Sequence, residues 1–281
     1  MADPLVSTAW LADHLEAPDV RVVDASWYFP QEGKDARTEF DMAHIPGAVF
    51  FDIDEIADET SDLPHMLPSP VKFASRVRRL GLGDGSRLVI YDQFGLRSAA
   101  RVWWAFRAMG HGEVAVLDGG LPKWIAEGRP VEDDAPHPRE RHFTSRFNSD
   151  LVRDLDQVKR ALANGHEQLV DARPAGRFTG DQPEPRAGLR GGHMPGARNL
   201  PASDLLTPDG VMKSSSELAD LFEQAGVDIN RPIVTTCGSG VTAAVLALGL
   251  ARLGKDRAAV YDGSWTEWGG RDDTEVVAGP A

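Results

Sequence analysis

Cys237 is the only cysteine in a chain of 281 residues, and it stands in the run IVTTCGSGVTAAVL at 233–246. A lone thiol can form no internal disulfide and no multi-thiolate metal site, so it is either a small buried hydrophobe or a working nucleophile. The flanking residues argue for the second. A β-branched apolar stretch leads into Cys237, and an Ala- and Leu-rich helical stretch starts near Val241 or Thr242, which puts the thiol at the C-terminal end of a strand in a loop that opens a helix. A helix N-terminus presents unpaired N–H groups and the positive end of a dipole, both of which favour thiolate over thiol. Gly238 and Gly240 can let backbone amides turn inward toward the sulfur, and the small residues around it are expected to leave the thiol poorly buried. Ser239, two residues along, is placed to polarise the thiol or hydrogen-bond a substrate. Cysteine phosphatases and arsenate reductases need an arginine after five intervening residues to hold their oxyanion; that position is Ala243, which excludes them.

The elements that must carry this loop occur twice. RVVDASW at 21–27 is echoed by QLVDARP at 168–174, HIPGAVFFDID at 44–54 by HMPGARNLPASD at 193–204, and VLDGGLPKW at 116–124 by VYDGSWTEW at 260–268. The cysteine segment, RPIVTTCGSGVTAAVLALGLARLG at 231–254, is echoed by RLVIYDQFGLRSAARVWWAFRAMG at 87–110, which has no cysteine. Four echoes in one order at an offset of roughly 145 residues indicate a duplicated domain rather than a short-period solenoid. Each copy alternates short apolar strands with helical stretches, the pattern of an α/β domain with a mainly parallel sheet flanked by helices. Strands are expected at 20–24, 88–91, 114–117, 168–171, 232–236 and 258–261, and helices at 97–109, 154–164, 215–225 and 241–253, the last stopped by Gly254. The charged, proline-rich stretch at 132–147 reads as a linker, giving an N-terminal domain at 1–135, a linker at 136–148 and a C-terminal domain at 149–281 that carries the cysteine.

Bulk properties bound the function. A net charge of −13 argues against nucleic acid as a partner, since phosphate contacts need a surplus of Lys and Arg. No apolar run approaches the roughly 20 residues that span a bilayer, and the N-terminus lacks a basic-then-apolar leader, so no membrane partner is expected and a cytoplasmic location is the default. His44 and His193 open the paired HxPGA boxes; duplication explains the pair, and no second His or Cys sits at ligand spacing, so no metal site is read here. Asp24 and Asp171, at strand ends, read as framework carboxylates bonding loop amides or the nearby Arg173. The Trp pairs at 103–104 and at 265 and 268 read as helix and domain-interface packing, with Trp265 also a candidate wall of the site.

The CGSGVTA run, the paired domains, the HIPGA and HMPGA boxes, PEPRAGLR at 183–190 and YDGSWTEW together resemble the tandem-domain rhodaneses, over nearly the whole chain. Within that family the loop is similar to the mercaptopyruvate-using members; thiosulfate-using members typically carry basic residues where Gly238 and Ser239 stand here. The resemblance implies two rhodanese-like domains with an inactive first copy, and a Cys237 persulfide loaded by a small-molecule sulfur donor and emptied by cyanide, a small thiol or a thioredoxin-like acceptor, with no metal or organic cofactor. It makes Arg186 the first candidate for the donor's carboxylate and Arg190 the second, with Arg177 a structural arginine pairing a carboxylate. It also implies that Ser239 works with His65 and Asp54 in a cleft between the domains; alternatively, His65 only orders its loop and Asp54 caps a helix from Glu55. A thiosulfate sulfurtransferase and a non-catalytic rhodanese scaffold are the alternatives.

Overall fold

The computed structural model describes residues 3–280. They form two five-stranded sheets in which every strand pairing is parallel. In the first, β1 (Leu5–Val6), β2 (Val20–Asp24), β3 (Val49–Phe50), β4 (Arg87–Tyr91) and β5 (Val114–Leu117) lie in the order β1-β5-β4-β2-β3. In the second, β6 (Val152–Arg153), β7 (Gln168–Asp171), β8 (Arg198–Asn199), β9 (Ile233–Thr236) and β10 (Ala259–Tyr261) repeat that topology as β6-β10-β9-β7-β8. The central strands β4 and β9 are almost wholly buried and show no in-and-out alternation, as expected of parallel strands covered on both faces. Each sheet has its own apolar core: Leu11, Phe40, Val89 and Trp124 in the first, Val158, Phe178, Val234 and Trp265 in the second.

The six expected strands and four expected helices are present, with ends shifted by one or two residues. The helix after Cys237 runs Ala243–Arg252, and Gly254, in the left-handed region at φ +76°, ends it by donating to the Ala251 carbonyl. Four two-residue edge strands were not visible as sequence patterns, nor was the helix Pro70–Arg79, although Ser69 caps it and proline opens it.

Two compact units emerge, and they do not follow the chain strictly. One holds the described residues up to Glu59, Leu67–Asn148 and Thr207–Met212; the other holds Thr60–Met66, Ser149–Leu206 and the described residues from Lys213 onward. Thr207–Met212 joins the first unit through a hydrogen bond from the Met212 amide to Asp118 Oδ1 (2.8 Å) and a close approach of Gly210 to Gly95, where a β-carbon on Gly95 would fall 2.7 Å from the Gly210 Cα. The proline-rich stretch read as a linker has no helix and is strapped along the first unit. Its Phe143 is buried against Phe73 and Phe106, and His142 and Thr144 bond Asp84.

Candidate active site

Cys237 follows β9 directly, at the carboxyl end of a central strand where ligands of open α/β sheets bind. The loop it opens is shaped by what its carbonyls do. The Cys237 carbonyl accepts from the Trp265 amide (2.9 Å), and the Gly238 carbonyl accepts from both the Thr266 amide (2.8 Å) and the Thr266 hydroxyl (2.6 Å). A trans peptide points its N–H opposite to its C=O. With both carbonyls drawn toward the Ser264–Trp268 helix, the amides of Gly238 and Ser239 are turned the other way, into the loop. These two amides, and those of Val241 and Thr242, have no protein acceptor among the described residues. The helix Ala243–Arg252 has no side-chain cap, since Thr242 at the N-cap makes no capping bond. The result is a set of N–H donors without protein acceptors and a helix N-terminus in the loop that the cysteine opens, an arrangement suited to an anion.

The two glycines are needed for different reasons. Gly240 sits at φ +77°, where an L side chain would be strained. Gly238 has ordinary backbone, but a β-carbon there would lie 3.1 Å from Arg177 Nη2 and 3.9 Å from Arg186 Nη1. Two guanidinium groups therefore face the loop next to the cysteine.

This alters the roles expected for the three arginines. Arg177 does pair a carboxylate, Glu184, through Nε (3.2 Å) and a closer Nη2 contact, and it also fronts the cysteine loop at Gly238. Arg186 is beside it, with Nη2 3.2 Å from His65 Nε2. Arg190 is engaged elsewhere. Its Nε bonds the Gly269 carbonyl and Nη1 the Thr274 carbonyl, while Nη2 bonds the carbonyls of Trp268 and Arg271 and the Thr274 hydroxyl; a guanidinium spent in this way staples the C-terminal segment and is not available to a substrate.

Behind Arg177 lies a buried charge network. Arg173, 1% exposed, holds Asp171 with Nε and Nη2, Glu184 Oε1 with Nη1 (2.7 Å) and the Gly192 carbonyl with Nη2, and its guanidinium stacks 4.1 Å over the Trp265 ring. Burial works against the Arg173 charge, but Asp171 and then Glu184 outweigh it and leave its pKa raised. Glu184 is shared between Arg173 and Arg177, which fixes the Arg177 side chain at the loop. Trp265 supports the site from beneath through this stack, through its amide bond to Cys237 and through Nε1–H to the Arg190 carbonyl.

Cys237 itself is 2% exposed, less open than its small neighbours imply, because Ser264 and the Trp265–Thr266 backbone close its carbonyl side. Ser239 is buried, and its hydroxyl bonds no described residue, His65 included. His65 belongs to the unit of the cysteine and is held at φ +62°, a costly backbone for a residue with a side chain. Arg186 donates to its Nε2, which puts the ring proton on Nδ1. Asp54 is in the first unit, where Oδ2 accepts from Trp27 Nε1 (2.9 Å); the cap of its helix, Ile53–Ile56, is Asp52 and not Asp54. His44 and His193 do the same framework task in each copy: Nδ1 meets the carbonyl of Phe40 or Phe178, and the ring stacks on that phenylalanine.

The Rhodanese-like domain matches residues 7–127 and 154–271, one copy on each sheet. This chain belongs to the rhodanese family. It is 46% identical over 270 residues to human 3-mercaptopyruvate sulfurtransferase, covering 94% of this chain and 91% of the human one. It is also 44% identical over 270 residues to the thiosulfate sulfurtransferase of Gallus gallus, covering 94% and 92%. Among solved structures, a 3-mercaptopyruvate sulfotransferase from Escherichia coli superposes with a TM-score of 0.86 at 41% identity, over 93% of this chain and 98% of that one.

Proposed function

We propose that this sulfurtransferase takes its sulfur from 3-mercaptopyruvate, carries it as a persulfide on Cys237 and passes it to a thiophilic acceptor. The single observation that carries this reading is the pair of guanidiniums, Arg177 and Arg186, set against Gly238 in a cysteine loop whose Gly238 and Ser239 amides have no protein acceptor among the described residues. An α-keto acid needs both features. Its carboxylate calls for the forked donors of arginine, and its sulfur must reach a nucleophile a few bonds away.

The Cys237 thiolate attacks the sulfur of mercaptopyruvate. A new S–S bond forms, the C–S bond breaks, and its electron pair passes to C3 of the departing pyruvate as the enolate. The proton that was on the donor thiol ends on C3, giving pyruvate and a persulfide anion, so no external oxidant or reductant takes part. Ser239, with its hydroxyl at the loop, and His65, beside Arg186, are the side chains placed to move that proton. The amides of Gly238, Ser239, Val241 and Thr242 stabilise negative charge on sulfur through both half-reactions. Cyanide, a small thiol or a thioredoxin-like thiol then attacks the outer sulfur and the Cys237 thiolate leaves.

Thiosulfate is the second donor to weigh, since one relative of high identity is a thiosulfate sulfurtransferase. Against it stands the absence of basic side chains at Gly238 and Ser239. The measurement is kcat/KM for each donor with cyanide as acceptor. A ratio of at least about tenfold in favour of mercaptopyruvate is expected, and a preference for thiosulfate overturns the assignment.

A further inference from the structure

Among the described residues only two non-glycine residues hold a left-handed backbone, His65 at φ +62° and Ser264 at φ +50°. Both belong to the unit of the cysteine. The equivalent of Ser264 in the first copy is Gly120 at φ +55°, a position where glycine is at ease and where a β-carbon would lie 2.5 Å from the Asp92 carbonyl. The amide that follows does the same work in each copy: Leu121 N–H reaches the Asp92 carbonyl (3.0 Å), and Trp265 N–H reaches the Cys237 carbonyl (2.9 Å). One copy therefore meets this backbone demand with glycine, and the copy with the thiol meets it with a strained serine.

The hydroxyl explains the exchange. Ser264 Oγ is fully buried, donates to the Tyr261 carbonyl (2.8 Å), and accepts from the Cys237 amide (3.2 Å) and the Thr236 hydroxyl (3.3 Å). One donor and two lone pairs are all in use. The peptide before Cys237 is thereby fixed at both ends, since the Thr236 carbonyl accepts from the Ala172 amide (2.8 Å). With that peptide pinned by Ser264 and the next one by Trp265, the backbone on both sides of Cys237 is held, and with it the direction in which its side chain leaves the strand end.

We infer that Ser264 is a positioning residue for the Cys237 nucleophile, holding the Cys237 amide so that the backbone keeps aiming the thiol toward the loop that it opens. This rests on the reading of Cys237 as the sulfur carrier and adds a residue that the cysteine loop itself does not contain. Local strain that persists at a site is the mark of a constraint the surroundings impose, and here the constraint is a hydrogen bond to the reacting residue's own backbone.

The test is Ser264→Gly, which relieves the backbone and deletes the hydroxyl, with Ser264→Ala as its companion. Ser264→Gly is expected to unfold at a denaturant midpoint close to that of the parent while kcat falls about tenfold and KM for mercaptopyruvate stays within about twofold. The rate of Cys237 alkylation by iodoacetamide, followed against pH, is expected to shift its midpoint upward by about one unit, because the backbone that aims the thiol toward the loop amides is released. A purely structural serine lowers the unfolding midpoint and leaves the alkylation profile in place; that result in both variants overturns the proposal. If Ser264→Gly does not fold, the alkylation profile and kcat of Ser264→Ala decide. Parent protein that takes no sulfur from donor overturns the sulfur-carrier reading instead, and the alkylation profile, which needs no donor, still decides the role of Ser264.

Discussion

The loops after β4 and β9 start from one template and reach opposite ends. After β4, Asp92 stands where Cys237 stands after β9, and its buried carboxylate accepts from the amides of Phe94 (2.9 Å), Arg97 (2.6 Å) and Ala99 (2.8 Å). After β9 the corresponding amides are those of Ser239, Thr242 and Ala244; the first two have no protein acceptor among the described residues, and the third bonds the Val241 carbonyl (3.3 Å). Neither Ser98 nor Thr242, the N-cap residues of Ala99–Ala108 and Ala243–Arg252, makes a capping bond, but the first helix has the Asp92 carboxylate on its Ala99 amide. The first copy thus fills its loop with its own carboxylate, and the second, in the function proposed above, leaves the loop to a sulfur anion. A built-in anion stabilises a loop; a cradle kept for a transient one costs stability and supplies catalysis.

The arginines differ in the same sense. Arg97 of the first loop is bound to Glu32 and to the Trp27 carbonyl. In the second copy Arg177 and Arg186 come from outside the loop and meet it at Gly238. Asp171 is buried with Arg173 as a full partner, while Asp24, its equivalent, has Ser26 in place of that arginine and keeps Oδ2 without a hydrogen bond.

The sharpest break in this contrast is Cys237→Ser. It is expected to lower sulfur transfer by more than about a thousandfold in a cyanide assay, with the fold kept, because the hydroxyl occupies the cradle but is no nucleophile at neutral pH. Residual transfer near the parent rate would mean that the two loops are equally silent. Next comes Arg177→Gln, expected to reduce kcat/KM for mercaptopyruvate about a hundredfold, mostly through KM, since a charged two-pronged contact is lost. An unchanged KM would return Arg177 to the purely structural role that its sequence context suggests.

Asp92→Ala acts on stability rather than rate. Three amides lose their acceptor, and a cost of roughly 3 kcal/mol is expected in denaturant unfolding of the first unit. A cost near zero would mean that the carboxylate does not fill the cradle in the sense drawn here. The smallest effect concerns Asp24. Burial, opposed by bonds from Ser26, pushes its carboxyl up to about 6. A raised acid is protonated in both folded and unfolded chains below the ordinary aspartate range, so its cost is absent there and grows as pH rises through about 6. Stability is expected to fall by about 2 kcal/mol between pH 4 and pH 7 from this group, and Asp24→Asn should flatten that slope. An identical slope in the variant would remove Asp24 from the comparison.

Much of this was legible in the residues. A lone Cys at a strand end, with glycines that a tight loop requires and a first-copy echo that lacks the thiol, gave the site and the duplicated α/β architecture. What was hidden depended on contacts between distant segments. Arg177 and Arg190 look alike as loop arginines, and only the fold separates a guanidinium facing Gly238 from one spent on the backbone of Trp268, Arg271 and Thr274. The edge strands are two residues long, too short to carry a period. Ser264 could be read as an ordinary turn serine until its φ and its bond to the Cys237 amide were seen.

The central claim is that the second loop, and not the first, carries sulfur. Its most direct test is the intact mass of the protein after incubation with 3-mercaptopyruvate and no acceptor, followed by peptide mapping. One added sulfur atom on the peptide containing Cys237, removed by cyanide, is the predicted result; a protein whose mass never changes contradicts the account.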